Sequence, residues 1–317
     1  MNIVSQMCAI AVMLVIMYFY VSQKKIILHT SRAFVEVWIA GMLSLFFDIF
    51  SLVAIEKRDG YPLTATNIIC KLYLWTVTWV AMVAFWYICV DIFRKKELEC
   101  KWRKRLFIFG IITDILIMAV PIKIYDSNNI VYTYGPAVVI TYTVTVTLLG
   151  LILMLTKKYG QVINPRRRKS MQVWVALMFS AAVIQFINNK LLIVGFASMI
   201  GVLIIFIMLE NPMANIDRDT GFFNLNAFFE YMKEAYGKGK DVSIVCVRYG
   251  SNGNEVFSSE MENSIFYEVV SFIKNIPESY VFRSSANEYL LVFENTDSSQ
   301  KAIGILERRF DKPWGSD

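Results

Sequence analysis

Leu191-Leu192-Ile193-Val194-Gly195-Phe196-Ala197-Ser198-Met199-Ile200-Gly201-Val202-Leu203-Ile204-Ile205-Phe206-Ile207-Met208-Leu209 runs without a charged side chain, and Glu210-Asn211-Pro212 ends it. A helix needs ~20 such residues to cross a hydrocarbon core of about 30 Å, so this run predicts a membrane span. The chain before it is rich in similar runs, and the chain after it is polar and mixed. The reading therefore divides the sequence into a membrane half, 1–210, and a cytosolic half, 211–317.

Six more apolar runs lie upstream, near 3–22, 33–55, 64–91, 104–123, 136–156 and 170–189, in a chain that is 56% hydrophobic. Together they predict a multi-pass α-helical bundle of about seven helices, the sixth and seventh joined by a few residues around Asn188-Asn189-Lys190. Orientation comes from the connecting segments, because Lys and Arg accumulate on the cytoplasmic side. The first carries Lys24, Lys25 and Arg32; the third Arg94, Lys95, Lys96, Lys101, Arg103, Lys104 and Arg105; the fifth Lys157, Lys158, Arg166, Arg167, Arg168 and Lys169. The others are nearly neutral, as in Glu56-Lys57-Arg58-Asp59. This alternation predicts a cell-membrane protein with its N-terminus outside and its C-terminal half in the cytosol. The same basic clusters would suit nucleic acid or anionic lipid, but topology accounts for them and for the net charge of +6. Membrane lipid is thus an expected partner and nucleic acid is not. The first run lacks a basic leading segment, so it is expected to remain as an anchor.

Cys8, Cys70, Cys89, Cys100 and Cys246 have no paired spacing, so neither a zinc site nor a disulfide framework is indicated. The single histidine, His29, falls in a connecting segment and leaves histidine-based catalysis without material. Ionisable groups inside spans are costly and are usually paired or functional. Asp48 and Lys71 fall at similar depths in the second and third helices, where they are expected to form an ion pair or to line a pocket. Asp114, Asn67, Tyr142, Gln185 and Asn188 occupy the outer or middle bundle and would complete an outward-facing polar pocket. Trp75, Trp79 and Trp86 are expected to pack or face lipid rather than hold a cofactor.

Downstream, the periodicity predicts a helix at 225–236, a strand at 242–248 around Ile244-Val245-Cys246-Val247, and a loop at Gly250-Ser251-Asn252-Gly253-Asn254. Next come a helix at 258–274, strands at 279–284 and 288–294, and a helix at 298–310. The order βαββα is most of a ferredoxin-like α/β unit.

Two segments in this half carry a resemblance. Asp217-Arg218-Asp219-Thr220-Gly221-Phe222-Phe223-Asn224-Leu225-Asn226-Ala227-Phe228 and Arg283-Ser284-Ser285-Ala286-Asn287-Glu288-Tyr289 resemble, in order and separation, the two motifs of the GGDEF family of diguanylate cyclases. The membrane half is similar to the seven-span module found ahead of such domains in some Gram-positive bacteria, through Phe46-Phe47-Asp48-Ile49-Phe50-Ser51, Tyr134-Gly135-Pro136, Gln185 and Glu210-Asn211-Pro212. The resemblance implies a hairpin that holds GTP and an aspartate at the end of the first strand that binds divalent cations. Here Ser285 and Ala286 stand in place of the two glycines, adding a Cβ where a positive φ or close phosphate approach would favour glycine. Asn287 replaces an acidic residue, and Arg248 stands where the metal-binding aspartate is implied. Glu288 is the one acidic residue retained, a weak lone ligand for Mg²⁺. Asn224 matches a guanine-contacting asparagine, Leu225 replaces an arginine, Asp219 replaces a leucine, and Tyr280 and Arg283 occupy the product-inhibition positions.

The resemblance implies a receptor-like signalling protein whose degenerate domain acts by nucleotide binding or protein contact, with no intact catalytic set. GTP with Mg²⁺ is the ligand it implies. The alternatives are a divergent diguanylate cyclase making cyclic di-GMP, and a small-molecule transporter or channel. The family would continue past Trp314 with another strand. Without that strand, 242–248 is expected to be a sheet edge that a second copy or a partner protein completes.

Overall fold

A computed structural model describes residues 3–26, 28–57, 60, 62–93, 96–127, 130–187, 193–250, 259–312 and 314. Asn188, and with it Asn189, Lys190, Arg94, Lys95, Arg58, Asp59 and the loop 251–254, lie outside the described residues. The chain forms two compact units, Met1–Gln23 with Ile27–Asn211, and Lys24–Ile26 with Pro212–Asp317.

The first unit is helical: α1 Val4–Ser22, α2 His29–Glu56, α3 Leu63–Ile92, α4 Lys96–Ala119, α5 Pro136–Lys158, α6 Pro165–Ile187 and α7 Val194–Ile205. Five of these are long and apolar enough to cross a membrane: α1, α2, α3, α5, and α7 with its continuation to Asn215. With Leu14, Val15, Phe50, Val139, Val146 and Phe179 turned outward, they mark a membrane protein. α4 and α6 occupy two more of the predicted runs but open on charge, Lys96 to Arg105 in one and Arg166 to Lys169 in the other. α4 also stops four residues short of the expected 123, because Pro121 cannot continue a helix.

An antiparallel hairpin that the apolar-run reading missed occupies the segment between α4 and α5. β1 Lys123–Ser127 pairs with β2 Ile130–Tyr134, Lys123 opposite Tyr134. Gly135 then turns the chain into α5 at φ 118°, with Pro136 at the first helical position. A Cβ at Gly135 would stand 3.4 Å from the Pro121 carbonyl oxygen, so both backbone angle and space call for glycine.

The helices close on a core of Met13, Phe34, Tyr87, Ile152, Met171 and Val202. α3 packs against α2 and α5, and α7 against α1, α2 and α6. Trp174 of α6 lies flat on the α7 backbone: a Cβ on Gly201 would fall 1.9 Å from its indole ring. α7 gives way to a π-helical turn, Phe206–Glu210.

The second unit holds a small mixed sheet: β3 Phe223–Asn224, β4 Ser243–Arg248, β5 Tyr280–Ser285 and β6 Glu288–Phe293, in the order β3-β5-β6-β4. β3 is parallel to β5 and the other pairs are antiparallel. Three helices accompany it, α8 Leu225–Gly237, α9 Ser259–Lys274 and α10 Thr296–Phe310. Phe222, Tyr289, Leu291 and Phe293 meet Val269 and Ile273 of α9 and Leu306 of α10 in one core. On β5, Phe282 meets Phe223 and Tyr231 with tilted rings and Phe228 edge-on, which seats α8 over that side of the sheet. β4 is an edge strand among the described residues, with Ile244 and Cys246 exposed.

Candidate functional site

Asp48 and Lys71 do not pair. Asp48, buried in α2, accepts a hydrogen bond from the Gln6 side-chain amide of α1 at 3.1 Å and another from the Tyr73 hydroxyl of α3. Lys71 donates to the Met118 carbonyl of α4 at 2.7 Å. Tyr73 lies two steps beyond Lys71 on the helix, a rotation of about 200°, so the face of α3 that reaches Asp48 presents the tyrosine and turns the lysine toward α4. The remaining candidates make contacts of their own, and one of them comes near Asp48: Gln185 binds the start of α7, where a Cβ on Gly195 would stand 3.6 Å from the Asp48 carboxylate. Asp114 accepts from the Trp79 indole at 2.9 Å. Gln185 accepts the backbone N–H groups of Ile193 and Val194 at 3.1 and 3.2 Å, capping the start of α7. Tyr142 is half exposed.

Asp48, Lys71, Asp114 and Gln185 thus have separate hydrogen-bond partners, while Asp48 and Gln185 both reach the start of α7. The cavity beside Tyr73, lined also by Thr145, Trp174 and Ser198, measures about 30 Å³. That volume suits a water molecule or two rather than an organic ligand.

A second buried polar node lies where α7 ends, and sequence reasoning did not single it out. The Glu210 carboxylate accepts from the Tyr87 hydroxyl of α3 at 2.9 Å and from the Ser31 hydroxyl of α2 at 3.3 Å. Arg167 of α6 interacts electrostatically with it and stacks its guanidinium over the Tyr87 ring at 4.7 Å. Glu210, Arg167 and Ser31 are all buried. One carboxylate thus ties three helices to the π-helical turn that closes α7, an irregularity frequent at functional positions. The available signal was Glu210 itself, the acid that ends the apolar run, and Arg167, which a topology count absorbs as one loop charge among several.

In the second unit the β5–β6 hairpin turns at Ala286 and Asn287, with a register shift between Arg283 and Ser285. None of residues 283–288 has a positive φ, so Ser285 and Ala286 fit without the strain their side chains were expected to bring. Tyr289 is fully buried, edge-on to Phe222 and stacked with Tyr249. Arg248 stands directly opposite Glu288 in the β4–β6 register, where facing residues share one side of the sheet.

Arg283 organises this end of the sheet. Its Nη1 donates to Asp217 at 2.9 Å and to Asp219 at 2.7 Å, and its Nε donates to the Ser285 carbonyl at 3.2 Å. Asp217 also accepts from the Thr220 backbone N–H and hydroxyl. Partial burial works against the Asp217 carboxylate, but the hydrogen bonds from Thr220 and Arg283 prevail and hold it below the usual carboxylate range. The two departures noted in the sequence, Asp219 and Arg283, are thus partners of each other. Asn224 caps α8: its Oδ1 accepts from Ala227 N–H at 3.0 Å and its Nδ2 donates to Ala214 O at 2.9 Å. Its amide is already engaged on both sides by backbone, where the resemblance implied a base contact. No group of three metal-ligating side chains occurs among the described residues.

No protein-family model matches this chain, and no curated protein matches it at a significant level.

Proposed function

We propose that the chain is a membrane-bound, receptor-like signalling protein whose C-terminal unit is a degenerate GGDEF-type domain, working by contact or nucleotide binding rather than by synthesis of cyclic di-GMP. The observation that carries this is the Arg283 hub. At the place where the resemblance implies GTP and two cations, a guanidinium is closed on Asp217, Asp219 and the Ser285 carbonyl. Beside it Arg248 faces Glu288 across the strands. Two arginines among the few remaining acids oppose the binding of divalent cations, which need several oxygen ligands. The strand order β5-β6-β4, with β4 on the edge, supports a ferredoxin-like core. Counting α4 and α6 with the five long apolar helices yields seven spans, which puts the basic ends of α4 and α6 on the cytosolic side.

Glu210 supplies the coupling. It is fixed by side chains of α2, α3 and α6, and Pro212 of the second unit lies two residues further along the chain. A rearrangement of the helices that loosens this carboxylate passes into the second unit along the chain itself.

The test is to incubate purified full-length protein with labelled GTP and Mg²⁺ or Mn²⁺, an authentic diguanylate cyclase running alongside, and to record binding and product together. Absence of cyclic di-GMP, with or without nucleotide binding, is the expected result. Its formation would make the chain an enzyme and overturn the proposal.

A further inference from the structure

Apart from the polar nodes, the first unit contains a much larger cavity, about 500 Å³, between α3, α4 and α5 at their basic ends. The volume is that of a ligand site. Its wall is an aromatic ladder: Trp86 stacks on Phe93 at 6.4 Å, and Phe93 stacks on Trp102 at 5.5 Å with the rings 11° apart. Leu155 and Tyr159 form the α5 side. Arg105 lines the cavity, and a second cation, Lys158, stands against the lining ring of Tyr159. The Arg105 guanidinium lies 5.0 Å over the Trp102 ring, and Lys158 Nζ lies 5.5 Å over Tyr159. No acidic side chain is among the residues lining the cavity.

We infer that this cavity is a site for one anionic phospholipid, its phosphate held by Arg105 and Lys158 and an acyl chain lying against the Trp86–Phe93–Trp102 ladder. The chemistry separates this occupant from others. A soluble anion would engage the two cations but leave the aromatic wall unused. A zwitterionic lipid would fill the wall but bring its own cation beside Arg105 and Lys158. An anionic amphiphile satisfies both parts, at the depth where tryptophan, tyrosine and basic residues meet the headgroups. Trp102 is partly exposed and Arg105 is exposed, so the mouth is open along α4, whose Phe107, Ile108, Ile111 and Ile115 also face outward. A lipid enters from the bilayer without any helix moving.

The test uses the full-length protein in bilayers that contain a small fraction of lipid with brominated chains, carrying either a phosphatidylglycerol or a phosphatidylcholine headgroup. Bromine quenches nearby tryptophan, and the difference between the parent protein and Trp102→Phe isolates the signal from this site. Each basic side chain at the surface favours an anionic headgroup by about fivefold. Trp102-dependent quenching is therefore expected at a concentration of brominated phosphatidylglycerol at least about fivefold below that of phosphatidylcholine. In Arg105→Gln with Lys158→Gln the two headgroups should become equivalent while the melting temperature stays that of the parent protein. Equal quenching by both headgroups in the parent, or a preference that survives the double substitution, would overturn the inference. Relief of quenching by millimolar glycerol phosphate would also overturn it, since the site would then select a soluble phosphate.

Discussion

Glu210→Ala is the most informative single change. It removes the acceptor for Tyr87 and Ser31 and takes a negative charge from the neighbourhood of Arg167, itself only 5% exposed. Stranding a buried hydrogen-bond donor costs about 1–3 kcal/mol, and with two donors and a nearby buried cation affected the loss is about 4 kcal/mol. For a unit of this length each kcal/mol lowers the melting temperature by about 2–4 °C, so a fall of roughly 10 °C is expected. The protein supplies its own reporter. Cys70 and Cys89 are buried at 1% exposure, so a thiol-reactive fluorogenic dye labels them only on unfolding, while Cys100 and Cys246 are exposed and react beforehand. Arg167→Ala and the double variant complete the cycle. Because the two side chains share one node, the double change should recover about 1–3 kcal/mol relative to the sum of the singles. If Glu210→Ala melts within ~2 °C of the parent protein, or the two effects simply add, the node is not a coupled pair.

Arg283→Ala should loosen the turn at residues 217–222. It removes two charge-assisted contacts and the bridge to Ser285, a loss of about 2 kcal/mol, and amide exchange there should rise roughly 30-fold in the full-length protein. Asp219→Leu should cost under about 1 kcal/mol, because Asp219 is 69% exposed. Asp217, with its pKa depressed in the folded state, contributes stability that is fully present above the unfolded value of about 3.9 and is lost as pH falls through the folded value. Asp217→Asn should therefore flatten the acid limb of the exchange profile for this turn and leave its shape near neutral pH unchanged. Gly201→Ala should prevent normal folding, since the new methyl would overlap the Trp174 ring, and Trp174→Ala in the same chain should restore a measurable melting transition. Asp48→Asn and Lys71→Met should be additive in the thiol-dye assay, because each side chain has a different partner.

A period of 3.6, an uncharged run of sufficient length and a change of composition at Glu210 are local signals. They located all seven helices of the first unit within a few residues, apart from the charged openings of α4 and α6. The α8, β4, α9, β5, β6 and α10 segments were legible for the same reason, their apolar residues recurring with the periods of helix and strand. The β1–β2 hairpin was missed because it occupies the short connection between the 104–123 and 136–156 runs, too short to register against the two apolar runs that flank it. Two-residue β3 was missed because so short a strand exists only through its pairing with β5.

The candidate site divides along the same line. Composition alone identified the costly groups, Asp48, Lys71 and Asp114, since a charge in an apolar run is visible without a partner. Which groups satisfy them is a matter of helix rotation, and that is a tertiary quantity. Tyr73 rather than Lys71 turns toward Asp48, and Gln6 arrives from another helix. Arg167 looked like one cation among six in its connecting segment until packing buried it against Glu210 and Tyr87. Asp219 and Arg283 stood as separate departures from a motif until a 2.7 Å contact made them one feature. Burial is announced by the chain; partnership is decided where chain segments distant in sequence meet, because the short range of hydrogen bonds and ion pairs makes them depend on ångström-scale placement that no local pattern encodes.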